Sequence, residues 1–275
     1  MKDSSILTDF QIVSDLHIEY KSTSVPDPLS LITPVADNLI LAGDIGSFYQ
    51  FDQLKNFLIP LCKLFKTVIY IPGNHEYYTM KDYKPQTMSE LLDRFYSLTH
   101  IITNLHILNR DLIQINDVCI VGCTLWSKWT PEINKNTNRR YNIPKFIVRI
   151  HDMTTQLYDK LHNDDLTYIK EVITLCQRTN TKLLVVTHHS PMFLPIKKDN
   201  KFKTLYASNL EYLLHKRFVH TWVFGHIHKN FDFYTSCINQ NGLYPSEGGT
   251  HIFTNQYGKP KDNITDYSKK AKIRL

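Results

Sequence analysis

The chain has 275 residues, 42% of them hydrophobic and 21% charged, which is enough apolar mass for a packed core and too much for wholesale disorder. No apolar run approaches the roughly 18 residues that a membrane-spanning helix needs. The formal charge of +6 suits an anionic substrate but is too slight by itself to imply nucleic acid.

Met1 to Ser5 carries one basic residue and no apolar block, so no signal peptide is expected. Phe10 to Val13, Asn38 to Leu41 and Thr67 to Ile71 are short runs of Val, Ile and Leu without alternation, which predicts strands covered on both faces. Between them, Phe51 to Phe65 sets Leu54, Phe57, Leu58, Leu61 and Leu64 at helical spacing. Thr87 to Leu98 does the same with Met88, Leu91, Leu92, Phe95 and Leu98. The pattern then changes. Leu105 to Leu108, Leu112 to Ile115 and Val118 to Val121 are separated by Asn109-Arg110-Asp111 and Asn116-Asp117, which predict hairpin turns and antiparallel strands. A helix is expected over Asp164 to Cys176, capped by Asn163 or Asp164. Strands over Lys182 to Val186 and Thr221 to Phe224 come next, with a short helix at Leu210 to Phe218 between them. Phe231 to Thr254 reads as short strands with Asn-Gly and Gly-Gly turns. The alternation of strand and helix implies a largely parallel sheet in one domain, 1–258, followed by a basic tail, 259–275. Five scattered cysteines with no Cys-x-x-Cys pair fit reduced thiols in a cytoplasm-like compartment better than a secreted, disulfide-bonded chain. Cys119 and Cys123 share a strand face and read as core.

The residues just past each buried strand carry the chemistry. The first strand runs into Ser14-Asp15-Leu16-His17, the second into Gly43-Asp44, and the third into Gly73-Asn74-His75-Glu76. Lys182 to Thr187 runs into His188-His189-Ser190-Pro191, and Thr221 to Phe224 into Gly225-His226-Ile227-His228. In open α/β sheets ligands bind outside the carboxyl ends of the strands, so the five clusters are expected on one rim. Asp-x-His and His-x-His spacing at a strand end lets both side chains point the same way, since alternate residues share a face. Each cluster alone is an ordinary turn or cap; five in order, each at the same end of a strand, are not. Carboxylate, amide and imidazole donors without thiolate suit Mn, Fe or Zn. Two Asp carboxylates leave two divalent cations under-neutralised, which favours a phosphate ester.

In this order the blocks Asp-x-His, Gly-Asp, Gly-Asn-His-Glu, the His block and Gly-His-x-His resemble the calcineurin-like metallophosphoesterase superfamily, over Asp15 to His228. The resemblance implies an α/β four-layer sandwich, two mixed β-sheets flanked by helices, with a dinuclear metal site at the strand C-terminal ends. It implies two divalent or trivalent ions, manganese foremost, with iron, zinc or magnesium as alternatives. One would be held by Asp15, His17 and His228, the other by Asn74, His188 and His226, with Asp44 bridging both. His75 would act over the substrate as the acid for the leaving oxygen, and a metal-bound hydroxide would attack phosphorus directly. The expected activity is hydrolysis of a phosphomonoester, phosphodiester or nucleotide. The alternative is a non-catalytic interaction module on the same fold. The second block is Gly43-Asp44-Ile45-Gly46-Ser47-Phe48, so the further Asp and Arg that phosphoprotein phosphatases carry there are missing. Gly73 to Tyr78 together with Gly122 to Ser127 looks like a small single-domain branch instead.

His188, directly after its strand, is preferred to His189 as the donor. His189, Arg139 and Arg140 are candidate substrate contacts. The lysines after the His block and those of the tail are solvated surface unless they meet phosphate or nucleic-acid backbone, and nucleic acid is not otherwise indicated.

Overall fold

The computed structural model describes residues 7–21, 24–128, 148–194, 196, 203–235, 238–239, 242–243 and 248–275. Strands β1 (Asp9–Val13), β2 (Asn38–Leu41) and β3 (Thr67–Tyr70) lie side by side in parallel. The register sets Ile12, Ile40 and Ile69 in one row, and all three enter an apolar layer between two sheets. Their neighbours Val13, Leu39, Leu41, Val68 and Tyr70 point the other way. There they meet Leu31 of the short α1 (Pro28–Leu31), Leu54, Phe57, Leu58 and Leu61 of α2 (Phe51–Cys62) and Leu91 and Phe95 of α3 (Met88–Tyr96). A strand buried on both faces has no polar face to alternate, which is why these segments read as unbroken apolar runs.

The first sheet is completed by β4 (Leu105–Ile107) beside β3. The second contains β5 (Asp111–Ile115), β6 (Val118–Cys123), β7 (Lys182–Thr187) and β8 (Thr221–Val223), joined by β9 (Asp232–Tyr234) and β12 (His251–Phe253). A small pair, β10 (Ile238–Asn239) and β11 (Gly242–Leu243), stands apart from both. Val118, Ile120, Leu184, Val186 and Val223 close the layer between the sheets. On the outer face of the second sheet, Val121, Leu183, Val185 and Trp222 pack with Ile169, Val172 and Ile173 of a long helix, α4 (Thr155–Thr179). Helix, sheet, sheet, helix are the four expected layers. Cys119 and Cys123 lie in the outer apolar layer with Cys176.

Four expectations change. Asn109-Arg110-Asp111 is not a hairpin turn but the crossing between the sheets, because β4 pairs parallel with β3 while β5 pairs antiparallel with β6. Leu105 and Ile107 belong to the helix-covered layer of the first sheet, whereas Ile113 and Ile115 lie against the inter-sheet layer. Helix α4 begins nine residues before the expected Asp164, capped by Thr154, whose hydroxyl accepts the Leu157 N–H at 3.1 Å. Its first turns hid from the apolar pattern because the inward positions include His162 and Asp165. The His162 Nδ1–H donates to the Trp126 carbonyl at 2.6 Å, and Asp165 accepts from Arg110 at 2.8 Å and from the Trp126 N–H at 3.2 Å. Leu210 to Phe218 forms only a single turn, Glu211–Leu213. Finally, 259–275 is not an appendage: β13 (Lys272–Arg274) pairs antiparallel with β1 and sets Arg274 and Lys272 against Asp9 at 2.6 and 2.8 Å.

Candidate metal centre

The parallel strands bring Asp15, Asp44, Asn74, His188 and His226 to one edge, as expected, but not by continuing the pleat. Beyond Val13 the chain is extended no longer: Asp15 and His17 have φ of 56° and 47°, and Asp44, His226 and His228 have 52°, 72° and 50°. Left-handed backbone is costly for residues with a β-carbon and collects at functional sites. Here it is fixed by cross-links, Asp15 N–H to Gly43 O at 2.9 Å and His17 N–H to Asp44 O at 3.0 Å. Close approach accounts for the glycines of two motifs. A β-carbon on Gly43 would lie 2.4 Å from His188 Nδ1, and one on Gly73 2.3 Å from Asp44 Oδ1.

Three groups of donor atoms gather within 4.8 Å: Asp15, His17 and His228; Asp44, His188 and His226; and His17, Asp44 and His75. Asp44 stands between the first two. Its Oδ2 is 3.7 Å from His17 Nε2 and its Oδ1 3.2 Å from His188 Nε2. His228 Nε2 is 3.3 Å from Asp15 Oδ1, and His188 Nε2 is 3.1 Å from Asn74 Oδ1. Asp15, Asp44, Asn74, His17 and His188 are buried. Burial alone would raise both Asp carboxyls. The surrounding imidazoles, His188 and His75 about Asp44 and His228 about Asp15, hold them low. Against its burial, His188 is drawn up to about 9 by Asp44 and Asp15. Burial and neighbouring imidazoles hold His226 neutral.

This donor set fits divalent metal. His17 Nε2 and His228 Nε2 converge to 3.1 Å beside the buried carboxylates of Asp15 and Asp44, so that imidazole nitrogens and carboxylate oxygens gather as one ion's ligands do. The remote ring nitrogens of three of these histidines are committed to oxygen: His17 Nδ1 to Glu19 at 3.1 Å, His188 Nδ1 to the Ala42 carbonyl at 2.9 Å, and His228 Nδ1 to Asp262 at 2.5 Å. Such partners fix the tautomer and aim the near nitrogen, as they do around bound metals.

His75 lies beside the cluster. Its N–H donates to Asp44 Oδ1 at 2.8 Å, its Nδ1 meets Glu19 Oε1 at 3.1 Å, and its Nε2 meets Lys259 Nζ at 3.0 Å. A cavity of about 930 Å³ opens over it, its lining including apolar Trp126, Val148, Leu205 and Ile227 and cationic Arg149, Lys229, Lys259 and Lys261. His189 is not in a donor group. Its Nδ1 is 2.6 Å from the Ser127 hydroxyl, its ring stacks on His226 at 4.1 Å, and its Nε2 has no partner among the described residues. It lines the cavity. Arg139 and Arg140 lie outside the described residues.

The sequence assigns no role to several residues at the site, Glu76 of the third cluster among them. Glu76 is buried and accepts the N–H groups of Asp44, Ile45 and Gly73 at 3.0, 2.9 and 2.9 Å, so one carboxylate holds two of the strand ends together. Burial and the nearby Asp44 push it up to about 8. Glu19 joins His17 to His75, and its place two residues after Asp-x-His was the available signal. Lys259 and Asp262 come from the segment whose composition reads as a tail, where nothing in the sequence ties them to His75 or His228.

Residues 10–230 match the calcineurin-like phosphoesterase family, and the chain belongs to it. The family is metal-dependent and acts on phosphorylated substrates, and the clustered donors are what such an activity needs. The chain is 25% identical over 281 residues to an uncharacterized protein of Acanthamoeba polyphaga mimivirus, covering 93% of this chain and 94% of that one. In fold it is similar to phosphopantetheinyl hydrolase from Mycobacterium tuberculosis, with a TM-score of 0.73 at 15% identity over 98% and 96% of the two chains. It is also similar to a dimetal phosphatase from Danio rerio, with a TM-score of 0.50 at 13% identity over 90% and 86%. Among the described residues no helix is long and apolar enough to cross a membrane.

Proposed function

We propose that the chain is a two-metal hydrolase of organic phosphoesters. One ion is held by Asp15, His17 and His228, the other by Asn74, His188 and His226, and Asp44 is shared. The observation that carries this is the division of the Asp44 carboxylate, one oxygen toward His17 and the other toward His188. When bound, the ions supply a Lewis acid for phosphoryl oxygens and a more acidic water. The oxygen, amide and imidazole donors suit manganese, with iron, zinc or magnesium as alternatives.

His75 could be counted as a donor with His17 and Asp44. Its contacts favour the other role. Glu19 accepts from Nδ1 and a lysine ammonium stands at Nε2, a poor neighbour for a second cation. His75 is assigned the proton transfer to the leaving oxygen: Glu19 fixes the ring through Nδ1, and Nε2, which burial and Lys259 hold unprotonated here, carries the proton once the Lys259 ammonium has turned to the phosphoryl group. Every donor position is filled, so nothing favours a non-catalytic module. The cavity, with both apolar and cationic side chains in its lining, suits a phosphoester with an organic body, the class to which the M. tuberculosis neighbour's name also points.

The test is to strip the protein with a chelator and restore manganese, iron, zinc or magnesium singly. Each form is assayed on nitrophenyl phosphate, bis(nitrophenyl) phosphate and a nucleotide panel. Hydrolysis that is lost on chelation and returns with at least one metal supports the proposal. A stripped protein as active as the restored one, or a fully metallated one inactive on the whole panel, overturns it.

A further inference from the structure

We infer that the short segment Lys259–Asp262, beyond the part that matches the family, is a phosphate-reading arm in which Lys259 binds a phosphoryl oxygen beside His75. This rests on the phosphoesterase reading and extends it to a residue outside the five motifs.

The arm is built rather than draped. Tyr257 N–H and Gly258 N–H donate to Ser14 O and Asp15 O, both at 3.0 Å, which ties the chain to the end of β1 just before the arm begins. Pro260 opens a single helical turn, and the Lys259 N–H donates to Asp262 Oδ2 at 2.8 Å. The same carboxylate oxygen holds His228 Nδ1 at 2.5 Å. The backbone of Lys259 is thus pinned to a residue of the candidate metal centre, and its side chain spans from there to His75 Nε2 at 3.0 Å.

Among the described residues, the Lys259 ammonium makes no ion pair with a carboxylate, although it is half-buried and lines the cavity. A lysine ending on an imidazole nitrogen is a cation held without an anion. Lys261, Lys229 and Arg149 line the same cavity, against the carboxylates of Asp44 and Asp262, so cations outnumber acids there. Nζ and Nε2 lie close enough to address adjacent oxygens of one tetrahedral anion, and charge-assisted contacts to phosphate are the strong ones. The chemical class of the ligand is therefore a phosphoryl group, as part of the substrate or as free phosphate product.

Calorimetric titration of the manganese-loaded protein with inorganic phosphate tests this, with metal content and melting temperature measured on each sample. Lys259→Met keeps the aliphatic stem and removes the charge. It should weaken phosphate binding roughly ten- to a hundredfold, with metal content and melting temperature unchanged. Lys259→Arg should recover most of the loss, and Lys270→Ala, exposed and away from the cavity, should bind as wild type. Unchanged phosphate affinity in Lys259→Met overturns the inference and leaves the phosphoesterase reading standing. Weaker phosphate binding that goes with lost metal or a lowered melting temperature also overturns it, since the arm would then act only as support. A metallated wild type that binds no phosphate also overturns the inference, whereas the phosphoesterase reading falls only by the chelation and activity test.

Discussion

His75 is gripped at three atoms by three kinds of group: its N–H by Asp44, Nδ1 by Glu19, and Nε2 by Lys259. An acid so held should be worth about 10² to 10⁴ in rate. His75→Ala is expected to lose that much on an alkyl phosphoester and less on a nitrophenyl ester, whose leaving group departs without a proton, while keeping its metal. Glu19 acts through two imidazoles, so its removal should show twice. Glu19→Ala should lower turnover roughly ten- to a hundredfold through His75. It should also weaken metal binding by a similar factor through His17, the usual cost of losing such a partner. Steady-state assays at saturating metal, with metal titrations alongside, separate the two effects. At saturating metal the double variant Glu19→Ala, His75→Ala should be no slower than His75→Ala alone. Additive losses would show that Glu19 does not work through His75. The donor residues themselves were legible because their types and order are unusual. Their positive backbone angles were not, since nothing in Asp-x-His distinguishes a strand that continues from one that turns left-handed.

At the scale of elements, the buried parallel strands were legible nearly to the residue, because a short apolar run with no polar face fits little besides a strand covered on both sides. The start of α4 was not, because its inward positions hold His162 and Asp165 in place of apolar residues. Pairing partners were also hidden. Asn109-Arg110-Asp111 has hairpin composition yet joins two sheets, and only packing decides which sheet each flanking run enters. The last strand is the clearest case, since β13 is short, polar and recognisable only beside β1. Its hold on Asp9 can be read by pH. The hydrogen bonds of Arg274 and Lys272 depress the Asp9 carboxyl below its ordinary 3.8. A carboxyl depressed in the folded state stabilises at pH values above its unfolded value, and the benefit fades as pH falls below it toward the folded one. Asp9→Asn should therefore lower the melting temperature at pH 7 by about 2 °C, in keeping with a surface ion pair in a chain this size. The gap to wild type should narrow as pH drops below about 4. A gap that stays constant from pH 7 to pH 3 would assign the stabilisation to shape and not to charge.

For the whole molecule, the two sheets meet along one apolar layer and their carboxyl ends supply opposite halves of the candidate centre. Asp15, Asp44 and Asn74 come from the first sheet, His188, His226 and His228 from the second. The halves are tied by the His188 Nδ1 contact to the Ala42 carbonyl. The C-terminal segment closes the structure twice, through β13 on the first sheet and through Lys259 and Asp262 at the site. That closure was invisible in sequence because a basic segment with few apolar residues has the composition of a solvated tail, and only its partners show otherwise. Everything proposed for the site turns on Asp44 being common to two ions. The direct measurement is elemental analysis of manganese-saturated, buffer-exchanged protein, paired with electron paramagnetic resonance of the same samples. Wild type should hold two manganese per chain with a spin-coupled signal, and Asp44→Asn fewer than one, uncoupled. Two coupled ions retained in Asp44→Asn, or a single uncoupled ion in wild type, would contradict a shared Asp44.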